Sequence, residues 1–466
     1  MSELFEFSTF QDNIALIEDT KEEMSYRQLQ EAADTLKSHL CHRVLTFCLC
    51  SNTISSIVGY VAFIQENIPT LLLDANKDDE LLQNLIDIYQ PMYIWGPEDK
   101  NLGQKIFRYK GYSLSKCHET AYTLHDKLAL LLTTSGSTGS PKLVRLTEEN
   151  ILSNAESIIQ YLGITPKERA VTSLPMYYSF GMSVINSHLH IGATLLLTNA
   201  AIIQKDFWNF VKDYSATSLS GVPYTYETLR RLRFFRMNLP KLTTLIQAGG
   251  KLNAEIVKEY IEQSQNCGKR FIVMYGQTEA APRMSYLPFD KALEKYSSIG
   301  IAIPGGKFHI KDDHDTEITK PFVDGELVYE GSNVCMGYAN CIEDLSKGDE
   351  NSGVLYTGDI AHFDEDYFYY ITGRKKRFVK IWGNRCNLDS IEQMVKIFEP
   401  ECACVGEDNR IIIFIPKEGM RDAILKYLIE KTKFIPSVFT LQVIDQIPIL
   451  ESGKIDYKSL RLLSQL

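Results

Sequence analysis

The stretch Thr133-Thr134-Ser135-Gly136-Ser137-Thr138-Gly139-Ser140-Pro141-Lys142 restricts what its part of the chain can form more than any other segment does. It follows Leu128-Ala129-Leu130-Leu131-Leu132, an apolar run of buried-strand length. After a polar step comes a helical-looking segment from Glu148 to Leu162. Glycines let a backbone approach an anion closely, hydroxyls donate hydrogen bonds, and a lysine adds compact positive charge. A strand, loop and helix of this composition therefore suit a polyphosphate. The loop is not a Walker A motif, because the order Gly-x4-Gly-Lys-Ser/Thr is absent. A surface Ser/Gly linker has the same composition, so the loop alone leaves both readings open.

The flanking sequence alternates. Spacing of Leu29, Ala33, Leu36 and Leu40 predicts a helix over 27–40 with Ser25 as N-cap. Strands over 44–49 and 70–74 flank a helix over 53–65. Further strand-length runs at 93–95, 170–172, 194–197, 218–219, 244–246 and 270–274 are separated by helix-length segments, the pattern of parallel sheets covered by helices. Past about Gly300 the texture becomes β-rich, with Gly and Asp turns and aromatic alternation in Tyr367-Phe368-Tyr369-Tyr370. Beyond Arg374, helices are predicted over 387–398 and 421–431 and strands over 411–415 and 440–444, which makes a small α+β domain.

With 466 residues, 44% hydrophobic and 23% charged, the chain is long enough for a large core and more than one domain. Its net charge of −10 argues against nonspecific nucleic-acid binding, which requires a basic face. No apolar run is long enough for a membrane span. Met1-Ser2-Glu3-Leu4 lacks the basic start and apolar core of a signal peptide, so a cytoplasmic protein is expected. Cys48, Cys50, Cys402 and Cys404 alternate within apolar runs without histidines at metal spacing and read as reduced core residues. His188 and His190 read as structural, and no Gly-x-Ser-x-Gly elbow suggests a hydrolase. One basic cluster, Arg374-Lys375-Lys376-Arg377 with Lys380 and Arg385, is either a solvated face or an anion-contacting surface.

Further segments extend the pattern of the glycine loop. Tyr275-Gly276-Gln277-Thr278-Glu279 follows a strand, placing its polar groups where open α/β sheets bind ligands. Gly325-Glu326-Leu327 continues through Gly331 to Gly337-Tyr338. It is followed by Tyr356-Thr357-Gly358-Asp359, Gly373-Arg374-Lys375-Lys376-Arg377, Lys380-Ile381-Trp382-Gly383 and Glu451-Ser452-Gly453-Lys454-Ile455-Asp456. In this order and over almost the whole chain, these segments resemble the signatures of the adenylate-forming superfamily. Its members include acyl-CoA synthetases, peptide-synthetase adenylation domains and luciferase-like enzymes. The resemblance implies an α/β fold: a large N-terminal domain of helix-covered mixed sheets plus a β-rich subdomain, 1–373, and a small mobile α+β C-terminal domain, 374–466. It also implies an ATP- and Mg²⁺-dependent ligase that converts a carboxylic acid to acyl-AMP and passes the acyl group to a thiol. That thiol belongs to coenzyme A or to the phosphopantetheine of a separate acyl carrier protein.

The same resemblance assigns roles. Thr134, Ser135, Gly136, Thr138 and Lys142 cradle the β- and γ-phosphates. Glu279 is the Mg²⁺ ligand, since a hard cation takes carboxylate oxygen together with substrate phosphates. Tyr275 lies on the adenine, Gly249, Gly276 and Thr278 complete the nucleotide site, and Asp359 accepts the ribose hydroxyls. Arg374 contacts the nucleotide and Lys376 is the pivot of the hinge; the family often has an acidic residue where Arg377 stands. Lys454 is the catalytic lysine of adenylation, exchanged by rotation for a thiol channel near Gly383. Tyr178, Phe180, Gly181 and Val222 border the acyl pocket. Amino-acid-activating relatives usually carry an aspartate where Gly181 stands, so a non-amino acid is expected, and the small residues nearby suit an apolar one. No carrier-protein serine motif follows Leu466, so the acceptor is expected to be a separate molecule. Two alternatives stay open: a catalytically silent nucleotide-binding relative, and an enzyme that stops at acyl-AMP.

Overall fold

A strand that is buried at every position must be covered on both faces, and Thr46–Cys50 is such a strand. Phe47 and Leu49 join Leu71, Leu73 and Leu131 in one buried cluster, while Cys48 and Cys50 join Leu72, Leu130 and Leu132 in another. The cysteines are thus core residues of a strand, as their spacing suggests. The computed structural model describes residues 2–40, 43–119, 122–133, 142–382, 384–407, 409–450 and 455–464. Thr134, Ser135, Gly136, Thr138, Gly383 and Lys454 lie outside the described residues, as does the side chain of Lys376.

The chain divides into two compact units, Met1–Lys307 with Tyr329–Leu355, and Phe308–Val328 with Tyr356–Leu466. In the first, an eight-stranded sheet runs in the order Gly337–Ala339, Leu143–Thr147, Leu128–Thr133, Thr70–Asp74, Thr46–Cys50, Tyr93–Pro97, Tyr112–Lys116, Gln104–Tyr109. Its centre is parallel and both margins are antiparallel. A nine-stranded sheet carries Arg283–Tyr286, Arg270–Gly276, Thr244–Gln247 and Ser218–Gly221 in succession toward one edge, with Ile14–Glu18 and Glu23–Ser25 at the other. Helices Tyr26–Lys37, Ile54–Gln65, Glu148–Leu162 and Ser179–His190 contribute to one core cluster with strand residues of both sheets, including Leu130, Leu132, Leu195, Ile246 and Met274. Ile54–Gln65 and Ser179–His190 are buried almost all round, which is why neither shows a clean polar face. Ser25 does cap its helix, in a reciprocal box with Gln28.

The structure corrects one reading. The glycine loop does not lead directly into a helix: the Leu143–Thr147 strand intervenes, antiparallel to Leu128–Thr133, and Thr147 then caps Glu148–Leu162. The loop therefore joins two strands of a hairpin. The sheets are mixed, as the resemblance implies, and antiparallel pairs such as Gln104–Tyr109 with Tyr112–Lys116 add to the parallel alternation.

The second unit contains most of a four-stranded sheet, Gly306–Lys311, Gly325–Gly331, Val354–Phe363 and Tyr369–Arg374, in that spatial order. A hairpin, Phe378–Ile381 with Asn384–Asn387, follows. The strands Ala403–Glu407, Arg410–Ile415 and Phe439–Val443 then form a sheet packed by helices Leu388–Lys396, Arg421–Thr432 and Tyr457–Leu463. Arg410–Ile415, Phe439–Val443, Leu388–Lys396 and Arg421–Thr432 lie within a few residues of their sequence-based positions, whereas Ala403–Glu407 and Tyr457–Leu463 had none.

His188 is buried on Ser179–His190 and hydrogen-bonded through Nδ1 to the Val184 carbonyl at 2.8 Å. Burial lowers its pKa from 6.5 to about 4, with a further push from the Arg283 charge. Between those values the unfolded chain binds a proton that the folded chain does not. Stability is therefore lost as pH falls from about 6.5 to 4, by up to roughly 3 kcal/mol from this group. Thermal unfolding of the wild type and His188→Gln across that window checks this: the variant should show a shallower pH dependence, and equal slopes would contradict it.

Candidate active site

Lys142 and Glu279 lie 137 positions apart in sequence, yet they meet on one aromatic ring. The Leu143–Thr147 strand pairs on its second side with Gly337–Ala339, in the register Gly337↔Arg145, Tyr338↔Val144, Ala339↔Leu143. That register brings Tyr338 beside Lys142, whose Nζ lies 3.3 Å from the ring centroid. The Tyr338 hydroxyl donates to Glu279 Oε1 at 2.9 Å, and the Cys335 amide donates to the Glu279 carbonyl at 2.8 Å. Burial, and then the Glu279 charge, push the Tyr338 phenol well above its usual range, so it stays a protonated donor.

One residue holds this arrangement. Arg145 is fully buried, and its guanidinium donates to the carbonyls of Tyr338 (3.1 Å), Met336 (3.1 Å), Gly348 (3.2 Å) and Lys347 and to Glu350 Oε2 (2.6 Å). Behind Glu279, Asn333 Nδ2 donates to the carbonyls of Ala280 and Arg283, pinning the turn that presents the carboxylate.

The Tyr275-Gly276 end of the site sits at the close of Arg270–Gly276, where a bulge separates Tyr275 from Gly276 in the pairing with Arg283–Tyr286. A Cβ on Gly276 would lie 1.9 Å from the Pro282 carbonyl oxygen, so only glycine fits. Gln277 Nε2 donates to Tyr275 Oη at 3.3 Å, and the Thr278 and Ser179 hydroxyls are 3.0 Å apart. Gly249 has φ +81°, and a Cβ there would lie 2.6 Å from Tyr178 Oη and 3.0 Å from Val222 Cγ1. Tyr178, Val222 and Gly249 therefore converge, and the Tyr178 ring meets buried Phe180 edge-on at 6.4 Å. Burial pushes the Tyr178 phenol up to about 12. Gly181 follows Phe180 where the helix abuts the preceding loop, and a Cβ at 181 would sit 2.1 Å from the Pro175 carbonyl oxygen.

In the second unit, Asp359 and Arg374 face each other across an antiparallel pair. The buried carboxylate accepts from Arg374 Nε at 3.0 Å. Arg377, the departure noted in the sequence, is answered locally: it pairs with Asp389 and with Glu392 at 3.0 Å and lies 3.9 Å from the Tyr457 ring centroid. Tyr457 also donates to Glu392, anchoring the chain just after Lys454. The sequence reading gave no individual role to Arg145, Tyr338 or Arg283; only Tyr338 stood inside a quoted motif.

The residues suit a metal–polyphosphate end. A half-buried carboxylate oriented by a phenol offers hard oxygen, and an ammonium stands on the same ring. Glu279 would hold a Mg²⁺ ion and Lys142 the phosphates, the ion supplying charge neutralisation at the departing pyrophosphate.

Comparison with known proteins identifies the fold and the family. The fold matches o-succinylbenzoate CoA synthetase from Bacillus subtilis with a TM-score of 0.81 at 20% identity over 99% of this chain and 98% of that one. ATP-bound MatB from Rhodopseudomonas palustris gives 0.79 at 20% identity over 100% and 99%. The family model for AMP-binding enzymes matches residues 6–339, and the chain belongs to that family. The chain is 31% identical over 323 residues to a long-chain-fatty-acid–CoA ligase of Escherichia coli O157:H7, covering 66% of this chain and 53% of the relative. It is 25% identical over 352 residues to a feruloyl-CoA synthase of Amycolatopsis sp, covering 71% and 68%. The chain thus spans about half the length of the first curated relatives it matches.

Arg145→Met should cost about 3–5 kcal/mol of unfolding free energy, because it strips a hydrogen-bond donor set from buried carbonyls and leaves Glu350 unpaired. Chemical denaturation compared with a surface control, Arg231→Met, checks this, and a loss under about 1 kcal/mol would remove the clamp role.

Proposed function

We propose that the protein is an AMP-forming acid–thiol ligase that activates a non-amino carboxylic acid with ATP. The observation that carries the reading is the meeting of Lys142 and Glu279 on Tyr338, a cation and a hard-oxygen ligand held as one unit. In the first step a carboxylate oxygen bonds to the α-phosphorus as the bond to the bridging oxygen breaks, releasing pyrophosphate. In the second, a thiol sulfur bonds to the acyl carbon, its proton passes to solvent, and AMP leaves.

Within this reading, Lys142 with Thr134, Ser135, Gly136 and Thr138 binds the β- and γ-phosphates. Tyr275, Gly276, Thr278 and Gly249 bind the nucleoside, and Asp359 with Arg374 the ribose. Lys454 stabilises charge on the attacking carboxylate and α-phosphate. Residues 374–466 turn about Lys376 so that a thiol entering near Gly383 replaces it. Gly181 supports the non-amino reading: an aspartate there has no room against the Pro175 carbonyl. Coenzyme A is the favoured acceptor, since the curated relatives named above are CoA ligases or synthases, and carrier-bound phosphopantetheine is the alternative. Among the described residues no helix is long and apolar enough to cross a membrane, and the cytoplasm is the proposed place of action.

Pyrophosphate exchange into ATP with a panel of acids tests the reading; a folded preparation that binds ATP and exchanges with none contradicts it. Lys454→Ala should slow exchange by about 100-fold or more while leaving thioester formation from supplied acyl-AMP within about threefold. AMP release independent of added thiol would favour an enzyme that stops at acyl-AMP.

A further inference from the structure

Arg283 is a buried cation without a buried anion. It begins the Arg283–Tyr286 strand, four residues past Glu279, and is 2% exposed. Nε donates to Ser183 Oγ at 3.0 Å, Nη1 donates to Tyr161 Oη at 3.3 Å and lies 3.4 Å from Met274 Sδ. The guanidinium carbon sits 5.1 Å from the Phe180 ring centroid. Every one of these partners is neutral, and among the described residues no carboxylate pairs with it. Arg145 provides the contrast inside the same unit: equally buried, it has Glu350 and a ring of carbonyls.

An arginine keeps its proton in proteins, so a buried one needs compensation from hydrogen bonds or an opposite charge. Hydroxyls, a thioether and an aromatic face supply part of that, and Nη2 makes no hydrogen bond to a described residue. The field of the group is felt nearby, where it helps keep His188 neutral. Its position is informative because Phe180 and Ser183 belong to the helix that borders the acyl pocket in the ligase reading. The guanidinium therefore packs on the Phe180 ring of that helix, and an anion on the acyl group that meets its Nη2 edge would complete its shell with charge-assisted hydrogen bonds.

We propose that Arg283 is a specificity-determining residue that selects an acid with a second carboxylate, so that the substrate is a dicarboxylic acid and not a simple apolar one. This rests on the acid–thiol ligase reading. One carboxylate is adenylated; the other pairs with the guanidinium and takes no part in bond making.

The test is pyrophosphate exchange by the full-length enzyme with matched pairs, hexanoic against hexanedioic acid and benzoic against benzene-1,4-dicarboxylic acid. The proposal expects kcat/KM to favour the diacid by about tenfold or more in at least one pair, because a site built around a charged partner rejects the analogue lacking it. Arg283→Met should reverse that preference mainly through KM, whereas Arg283→Lys should retain part of it. A general structural role would instead lower exchange with both acids equally. A diacid preference below tenfold in both pairs, or one unchanged in Arg283→Met, overturns the role of Arg283 and leaves the ligase reading standing. If the Met variant does not fold, the wild-type ratio and Arg283→Lys decide. No exchange with any acid overturns both.

Discussion

The arrangement of the first unit depends on a buried guanidinium that answers carbonyls. Arg145 lies at the centre of Leu143–Thr147 and satisfies main-chain oxygens of the segment from Met336 to Gly348, which has few other ladder partners. A fully desolvated charge is costly unless its donors are used, and here most of them are. The consequence is geometric. The edge strand Gly337–Ala339 is locked in register, Tyr338 stands beside Lys142, and its hydroxyl reaches Glu279 from another sheet. The polar chemistry of the site is thus supported by a residue that never faces it.

Much of the fold was legible because its cause is local. Apolar runs such as Leu128–Leu132 announce strands covered on both faces, and Ser25 announces a helix start as its N-cap, to which the structure adds the return bond from Gln28. Leu143–Thr147 escaped notice because Arg145 interrupts its apolar pattern; a charged residue in a central strand reads as a polar step until its carbonyl partners, some two hundred positions away, are in view. The hairpin at Gln104–Tyr109 was hidden for a related reason, since its half-exposed residues carry no continuous apolar signal.

The site residues show the same division. Gly276 and Gly249 could be proposed from motif and composition, and close approaches of Pro282 and Tyr178 give both a steric reason. Gly181 was read as a missing aspartate, whereas its contact with Pro175 makes it a packing requirement that forbids the aspartate. Arg283 could not be separated from a surface arginine in sequence, because what marks it is the neutrality of Ser183, Tyr161, Met274 and Phe180 around it. In the second unit, Arg377 looked like an unbalanced hinge charge; Asp389, Glu392 and Tyr457 absorb it.

The central claim is that Tyr338 and Glu279 act as one element toward MgATP. A double-mutant cycle with Tyr338→Phe and Glu279→Gln, read as MgATP affinity by calorimetry, tests it most directly. The account predicts a coupling energy of about 1 kcal/mol, because the phenylalanine removes the bond that orients the carboxylate and leaves the ring under Lys142 in place. Additivity within about 0.3 kcal/mol would contradict it.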